Sequence, residues 1–356
     1  MTYSKLTPIQ TGTFSTVYKA WSSQRNEYVA LKIMPKSKYS SGGMANEFEI
    51  MKILGRSHPN ICSMLDFYQD TNYYVLVLEY CEYGDLYDFL SVAKRQGDQI
   101  HPSTIQLDFA KVLRQISSAI MYSHSLGIAH RDIKPENILL TKEGDIKLAD
   151  WGHAIRDSFS KESHIGTDNY RAPETFDCTI EYDTFKIDYW SLGVTSLYLI
   201  FGQAPFKNLT LSSDLADCHM REEKNYLMGS NYSTFARDPN EFIYKYYLAP
   251  IINLKKDMLY QYRDAKVPLY VWRDLADIYN LFYISRILVD SLIVCEPEER
   301  SLKTFLFELN RENGLRKLNG KIIINERTTA HHPMMHHEKG SQVQLVNRTL
   351  IPEKIT

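Results

Sequence analysis

The stretch His130–Asn137 reads HRDIKPEN and places a carboxylate, an ammonium and a carboxamide within one short run. Asp132 can orient an attacking hydroxyl and take its proton. Lys134 can steady a phosphate oxygen, and Asn137 offers a neutral oxygen to a divalent cation. Phosphoryl transfer makes these demands, because there the protein mainly positions the nucleophile, holds the phosphates and neutralises charge. A polar surface turn is the bland reading of any one triplet, but the whole run is too specific for it. Asp150 follows the alternating segment Asp145–Ala149. A carboxylate at a strand end suits a hard cation that takes oxygen ligands, and Gly152 lets the chain turn sharply just after it.

Lys32, in VALKIM, supplies a third piece. An ammonium on a strand facing a cleft can grip phosphates if a carboxylate holds it there. Glu47 is the candidate holder, since it shares a helix face with Ile50, Met51 and Leu54. Glu49 is the runner-up and would point away by roughly 200° of helix rotation. Without the downstream motifs Lys32 would read as an ordinary snorkelling lysine. Gly12, in IQTGTFSTV, precedes Lys32 where a hairpin over phosphates needs small residues so that its backbone can approach oxygen atoms.

The elements that must position these residues show in the hydrophobic pattern. Ile9–Ala20 predicts two strands around a turn, and Tyr28–Met34 and Tyr73–Tyr80 predict two more. Between them Ala45–Leu54 predicts a helix. Leu107–Leu126 predicts a long amphipathic helix, and Tyr182–Phe201 a helix apolar enough to be buried. A strand-rich part followed by a helical part is an α+β arrangement with a cleft between.

The ordered run of motifs resembles the eukaryotic protein kinase family, over roughly Tyr3 to Glu312. The resemblance implies a bilobal fold, with a small β-rich N-lobe over 1–80 and a larger helical C-lobe over 81–312. It also implies ATP and Mg²⁺ as cofactors. Ile9 and Gly12 then belong to the glycine loop, and Val17, Ala30, Leu139 and Ala149 line the adenine pocket. Leu78 is the gatekeeper, Glu79 and Cys81 offer backbone groups to adenine, and Asp85 lies near the ribose. Lys32, held by Glu47, grips the α- and β-phosphates, while Asn137 and Asp150 hold the metal. Glu174 closes the activation segment and pairs with Arg300, and Asp188 begins the buried helix of the large lobe. Lys134, with Gly166-Thr167 before Tyr170, resembles the serine/threonine branch.

Some positions depart from the family pattern. Gln10 and Ser15 replace outer glycines of the loop, and Trp151 replaces the usual Phe after the metal aspartate, which favours a segment that stays in the active position. The eroded loop motivates a rival reading, a pseudokinase scaffold that binds nucleotide without turnover. A small-molecule kinase is a third. Ser158, Ser160 and Ser163 are candidate phosphoacceptors, and Arg131 is placed to pair with a phosphate on Ser163. Glu136 and Asp85 match positions that face upstream arginines of substrates in basophilic kinases, although Tyr198 stands where a second acid is common.

Composition bounds the rest. The chain has 356 residues, 44% of them apolar, and a net charge of −2, so bulk charge proposes neither nucleic acid nor membrane as partner. The expected partners are proteins with Ser or Thr acceptors, with a possible docking partner on the enlarged segment 207–285. Five scattered cysteines read as the reduced thiols of an intracellular, cytoplasmic protein. The polar tail 313–356, with its HHPMMHH tract, is expected to be largely disordered rather than metal-binding.

Overall fold

A computed structural model describes residues 2–38, 43–96, 104–105, 107–177, 179–206, 210–211, 227–228, 232–249, 278–311, 324–325, 343–346 and 349–352. The N-lobe is an antiparallel sheet of β1 (Thr2–Thr11), β2 (Thr16–Ser22), β3 (Glu27–Pro35), β4 (Met64–Gln69) and β5 (Tyr73–Glu79), with α1 (Gly43–Leu54) packed against it. Spatial order is β1-β2-β3-β5-β4. Val29, Leu31, Val75 and Val77 are buried on one face with Tyr3 and Tyr68, as strand alternation requires. The register pairs Val17 with Lys32 and Ala30 with Leu78. The residues expected at the adenine pocket, the phosphate grip and the gatekeeper position are thereby aligned on adjacent strands.

Helix α2 (Leu86–Gln96) follows the hinge, capped by Asp85, whose Oδ1 accepts from the Asp88 N–H at 2.8 Å. A two-residue strand β6 (Thr104–Ile105) precedes α3 (Phe109–Ser125), which Asp108 caps through the Lys111 N–H. Phe109, Val112, Leu113, Ile116 and Ile120 form its buried stripe. Strands β7 (Ile138–Leu140) and β8 (Ile146–Leu148) pair just after the run His130–Asn137, and β9 (Phe159–Ser160) pairs with β10 (Tyr182–Asp183). Helix α4 (Thr184–Phe201) starts at Asp183, which accepts from the Phe185 and Lys186 N–H groups, and stops at Gly202, φ 70°. It is buried nearly all round, as its apolar sequence predicts.

Two hairpin strands, β11 (Thr210–Leu211) and β12 (Leu227–Met228), precede α5 (Tyr232–Arg237), α6 (Pro239–Ile243) and a π-helical turn over Tyr244–Leu248. Phe206 and Phe235 are buried here against Trp190, Phe242 against Phe235 and Tyr247 against Phe201, so most of the aromatic residues near Asp238 serve the core. Helices α7 (Ile278–Ser291) and α8 (Leu302–Asn310) complete the lobe. Much of segment 207–285, where a docking partner was expected, lies outside the described residues.

Within 313–356, expected to be largely disordered, the described residues form β13 (Ile324–Asn325), paired with β6, and the hairpin β14 (Val343–Val346) and β15 (Thr349–Pro352), which extends the N-lobe sheet beyond β1. Edge strand β1 presents unpaired backbone groups that a further strand can satisfy, a signal that composition does not carry. The His-rich tract lies outside the described residues.

Gly193, on α4, packs tightly against the turn that follows α7. A Cβ there would stand 2.5 Å from Ile293 Cγ1 and 3.1 Å from Leu292 Cβ. Gly193→Ala should therefore cost about 1–3 kcal/mol by overpacking and lower the melting temperature by several degrees in a thermal scan. An unchanged midpoint would show that this contact relaxes freely.

Candidate active site

Lys32 is buried on β3, where a lone ammonium would be costly. Its Nζ lies 2.7 Å from Glu47 Oε1 on α1 and 2.8 Å from Asp150 Oδ1. Burial opposes the charge, but Glu47 and Asp150 together hold the Lys32 pKa above its ordinary value. The Lys32 ammonium in turn holds Asp150 well below the usual carboxylate range, against the effect of burial. Burial leaves Glu47 raised, with Lys32 pulling it back. Glu49 is exposed and 3.8 Å from Lys52, so it plays no part. Asp150 has φ 61° and faces the cleft.

Asp188, fully buried on α4, organises the catalytic loop. Its oxygens accept from the backbone N–H groups of His130 and Arg131, each at 2.8 Å, and one oxygen also meets His124 Nε2 at 2.8 Å. His130 Nδ1 accepts from the Asp132 N–H, so its Nε2 donates to the Ala149 carbonyl at 3.0 Å. Burial lowers the His130 pKa and keeps the ring neutral. The ring packs against buried Trp151, with centroids 4.6 Å apart.

Asp132 then sits in a small polar cluster. Asn137 Nδ2 donates to the Asp132 carbonyl at 2.8 Å and to its Oδ2 at 3.0 Å. Lys134 Nζ lies 2.8 Å from that Oδ2 and 2.7 Å from Thr167 Oγ1, and the Thr167 hydroxyl donates to Asp132 Oδ1 at 2.8 Å. Gly166, φ +87°, makes this approach possible, because a Cβ there would stand 2.4 Å from the Arg131 carbonyl oxygen. Among the described residues no three His, Cys, Asp or Glu gather as a metal nest.

The hinge follows Leu78, which is half-buried. The Glu79 side chain meets Lys147 at 2.8 Å and the Ser63 N–H at 2.5 Å, and the Glu79 backbone N–H bonds the Ser63 carbonyl. Cys81 is buried beside Cys62, whose thiol it helps to push up. Asp85 bridges to Leu139, and burial pushes its pKa up to about 6. Ala149 lies buried at the floor, and Val17 half-buried and Ile9 exposed at the roof. The glycine loop keeps its turn despite Gln10 and Ser15, with the Gly12 N–H bonded to the Ser15 carbonyl at 2.9 Å.

At the far end Arg300, with no exposed surface, meets Glu174 through two N–H groups at 2.5 and 3.0 Å and lies over the Trp190 ring. The Arg131 guanidinium pairs with Glu162 and donates to the His153 carbonyl at 2.7 Å, and Ser163, whose phosphate it was expected to meet, is the next residue along, half-buried. Sequence reasoning also passed over His124, Lys147 and Asn46, whose Nδ2 donates to the Ala154 carbonyl. No spacing rule singles out these residues, because their partners are distant in sequence.

A strand-rich lobe over a helical one, with this polar cluster in the cleft between, defines a protein kinase domain. The family model "Protein kinase domain" matches residues 3–259, and the chain belongs to that family. It is 49% identical over 330 residues to the probable serine/threonine-protein kinase FMP48 of Saccharomyces cerevisiae, covering 86% of each chain. It is 36% identical over 209 residues to the serine/threonine-protein kinase ULK3 of Homo sapiens, covering 56% of this chain and 42% of that protein. With the serine/threonine-protein kinase PLK4 of Drosophila melanogaster it shares 34% over 234 residues, 64% of this chain and 29% of that one.

Glu174→Ala would leave the Arg300 guanidinium buried without its carboxylate. Removing one member of a buried pair costs about 3–5 kcal/mol, so urea unfolding should shift strongly toward lower denaturant. A midpoint like that of the wild type would mean that the Val294 and Cys295 carbonyls satisfy Arg300 by themselves.

Proposed function

We propose that this chain is a serine/threonine protein kinase that transfers the γ-phosphoryl group of ATP to a Ser or Thr hydroxyl of a protein. The observation that carries this reading is the meeting, in one cleft, of Lys32 and Asp150, 118 residues apart, beside the Asp132–Lys134–Thr167 cluster. Asp132 orients the acceptor hydroxyl and takes its proton as the new oxygen–phosphorus bond forms and the bond to the ADP oxygen breaks. Lys134 steadies the γ-phosphate. Lys32 grips the α- and β-phosphates, and Glu47 keeps it in place.

The donor set fits Mg²⁺. Both Asn137 amide hydrogens turn to Asp132, which leaves its carbonyl oxygen for a cation, and Asp150 keeps Oδ2 after giving Oδ1 to Lys32. Two protein oxygens suffice for an ion that takes its remaining ligands from phosphate and water. When bound, the ion neutralises charge on the transferring phosphates.

Lys32→Met and Asp150→Asn should each lower Mg·ATP-dependent incorporation into a generic protein substrate more than ~100-fold, with unchanged far-UV circular dichroism. Wild-type-like turnover in either purified variant would overturn the assignment.

Substrate choice rests on the acids beside the cluster. Glu136 Oε2 is buried without a partner, Asp85 and Asp88 lie near it, and Tyr87 stacks on Tyr198 with centroids 5.7 Å apart. A guanidinium fits between such carboxylates and an aromatic wall, at about 0.2–1 kcal/mol per exposed pair. The expected preference for upstream arginine is therefore only a few-fold. Asp85 is neutral below about 6 and ionised above it. The ratio of kcat/KM for arginine-containing and alanine-substituted peptides should thus rise as pH increases through that value, and a flat ratio would remove Asp85 from substrate selection.

A further inference from the structure

Arg131 holds two parts of the activation segment at once. Its Nε donates to the His153 carbonyl at 2.7 Å near the segment's start, and its Nη1 pairs with the Glu162 carboxylate at its middle. The Arg131 side chain is 7% exposed and that of Glu162 56%. Glu162 is itself fixed by its backbone. Its N–H donates to Ser160 Oγ at 3.1 Å, and its carbonyl accepts from the Tyr182 hydroxyl at 2.6 Å. The β9–β10 pairing and the Thr184 N–H to Ser158 carbonyl bond hold the same stretch from the other side. The segment is therefore folded around an acid that the chain already carries.

From these contacts we infer that Glu162 is the positioning residue of the activation segment, its carboxylate filling the place beside Arg131 that a phosphate on Ser163 would fill, so that the enzyme turns over without phosphorylation of this segment. The inference rests on the kinase reading of the site and concerns its regulation. Charge supports it. A phosphoserine carries about −1.5 to −2 and is best met by more than one cation, whereas among the described residues Arg131 is the only cation in ion-pair reach of Glu162. A single guanidinium matches a single carboxylate. Position supports it as well. The backbone of Arg131 leads directly into Asp132, and its carbonyl oxygen is the surface on which Gly166 packs, next to Thr167. A displaced Arg131 would disturb both sides of the acceptor site. Because Glu162 is more than half exposed, its loss should act on this local geometry and little on global stability.

The test uses the full chain in three forms: as purified, phosphatase-treated with phosphate removal verified by mass spectrometry, and incubated with Mg·ATP. The phosphatase-treated wild type should keep its kcat, and so should Ser163→Ala. Glu162→Ala should lose about ten-fold or more in kcat with KM for ATP nearly unchanged, a split that marks lost transition-state positioning. Glu162→Asp should recover part of the loss, and melting temperatures should stay close to that of the wild type. If Glu162→Ala does not fold, Glu162→Gln preserves shape while removing the charge and should show the same split. Activity in the phosphorylated form alone would overturn the inference and leave the kinase reading standing. Full kcat in Glu162→Ala or Glu162→Gln would also overturn it. Turnover in none of the forms would defeat the kinase reading and this inference together.

Discussion

The buried charge of Lys32 is the constraint on which the cleft depends. An unpaired ammonium at this depth would cost several kcal/mol, so β3 cannot take its place in the sheet unless carboxylates arrive with it. They come from two directions, Glu47 on α1 and Asp150 on the segment after β8. Helix α1 must therefore dock inward. Its Ile50, Met51 and Leu54 join a core that continues through Trp151 into the large lobe. Asn46 fastens the same helix to the Ala154 carbonyl.

A second buried charge does equivalent work from below. Asp188 has no exposed surface, and it satisfies its oxygens by taking backbone N–H groups from the catalytic loop and a ring nitrogen from α3. Because α4 is buried along most of its length, the loop inherits the rigidity of the lobe's central helix. Trp151 sits at the meeting point of the two systems. Its Nε1 is buried without a partner, a cost of about 1–3 kcal/mol, which contact with His130 and full burial of a large ring offset. A residue with that much buried surface is hard to swing out, and this fits a metal-binding segment held in one position.

The parts of the site that could be read in advance are those contained in short runs. HRDIKPEN fixes its own relative geometry through the tight turn Pro135–Asn137 that leads into β7, and Lys32 and Glu47 each advertise their face through the apolar residues beside them. Strands β2, β3 and β5 and helices α1, α3 and α4 follow the same logic, with boundaries close to those expected, whereas β1 begins at Thr2, well before the expected Ile9. Strand β4 and helix α2 escaped notice for local reasons. MLDFYQ carries Asp66 and Gln69 within a strand, and LYDFLSVAKRQ buries only one end of its apolar stripe among the described side chains. The pairing of tail strands with β1 and β6 was illegible because an open edge is a property of the sheet and not of the strand that fills it.

By itself, then, the sequence determined the kind of chemistry, since phosphoryl transfer needs certain residue types at spacings that a single loop or helix face can set. It determined too which helix would be buried and which strands would carry the phosphate grip. The tertiary structure alone decided the long-range pairings. It paired Arg131 with Glu162, placed the Thr167 hydroxyl between Asp132 and Lys134, and closed the Tyr87–Tyr198 wall beside Glu136. The physical reason is the same in each case. A charge or hydroxyl in a loop has many partners within reach along the chain, and only the packing of distant elements removes all but one.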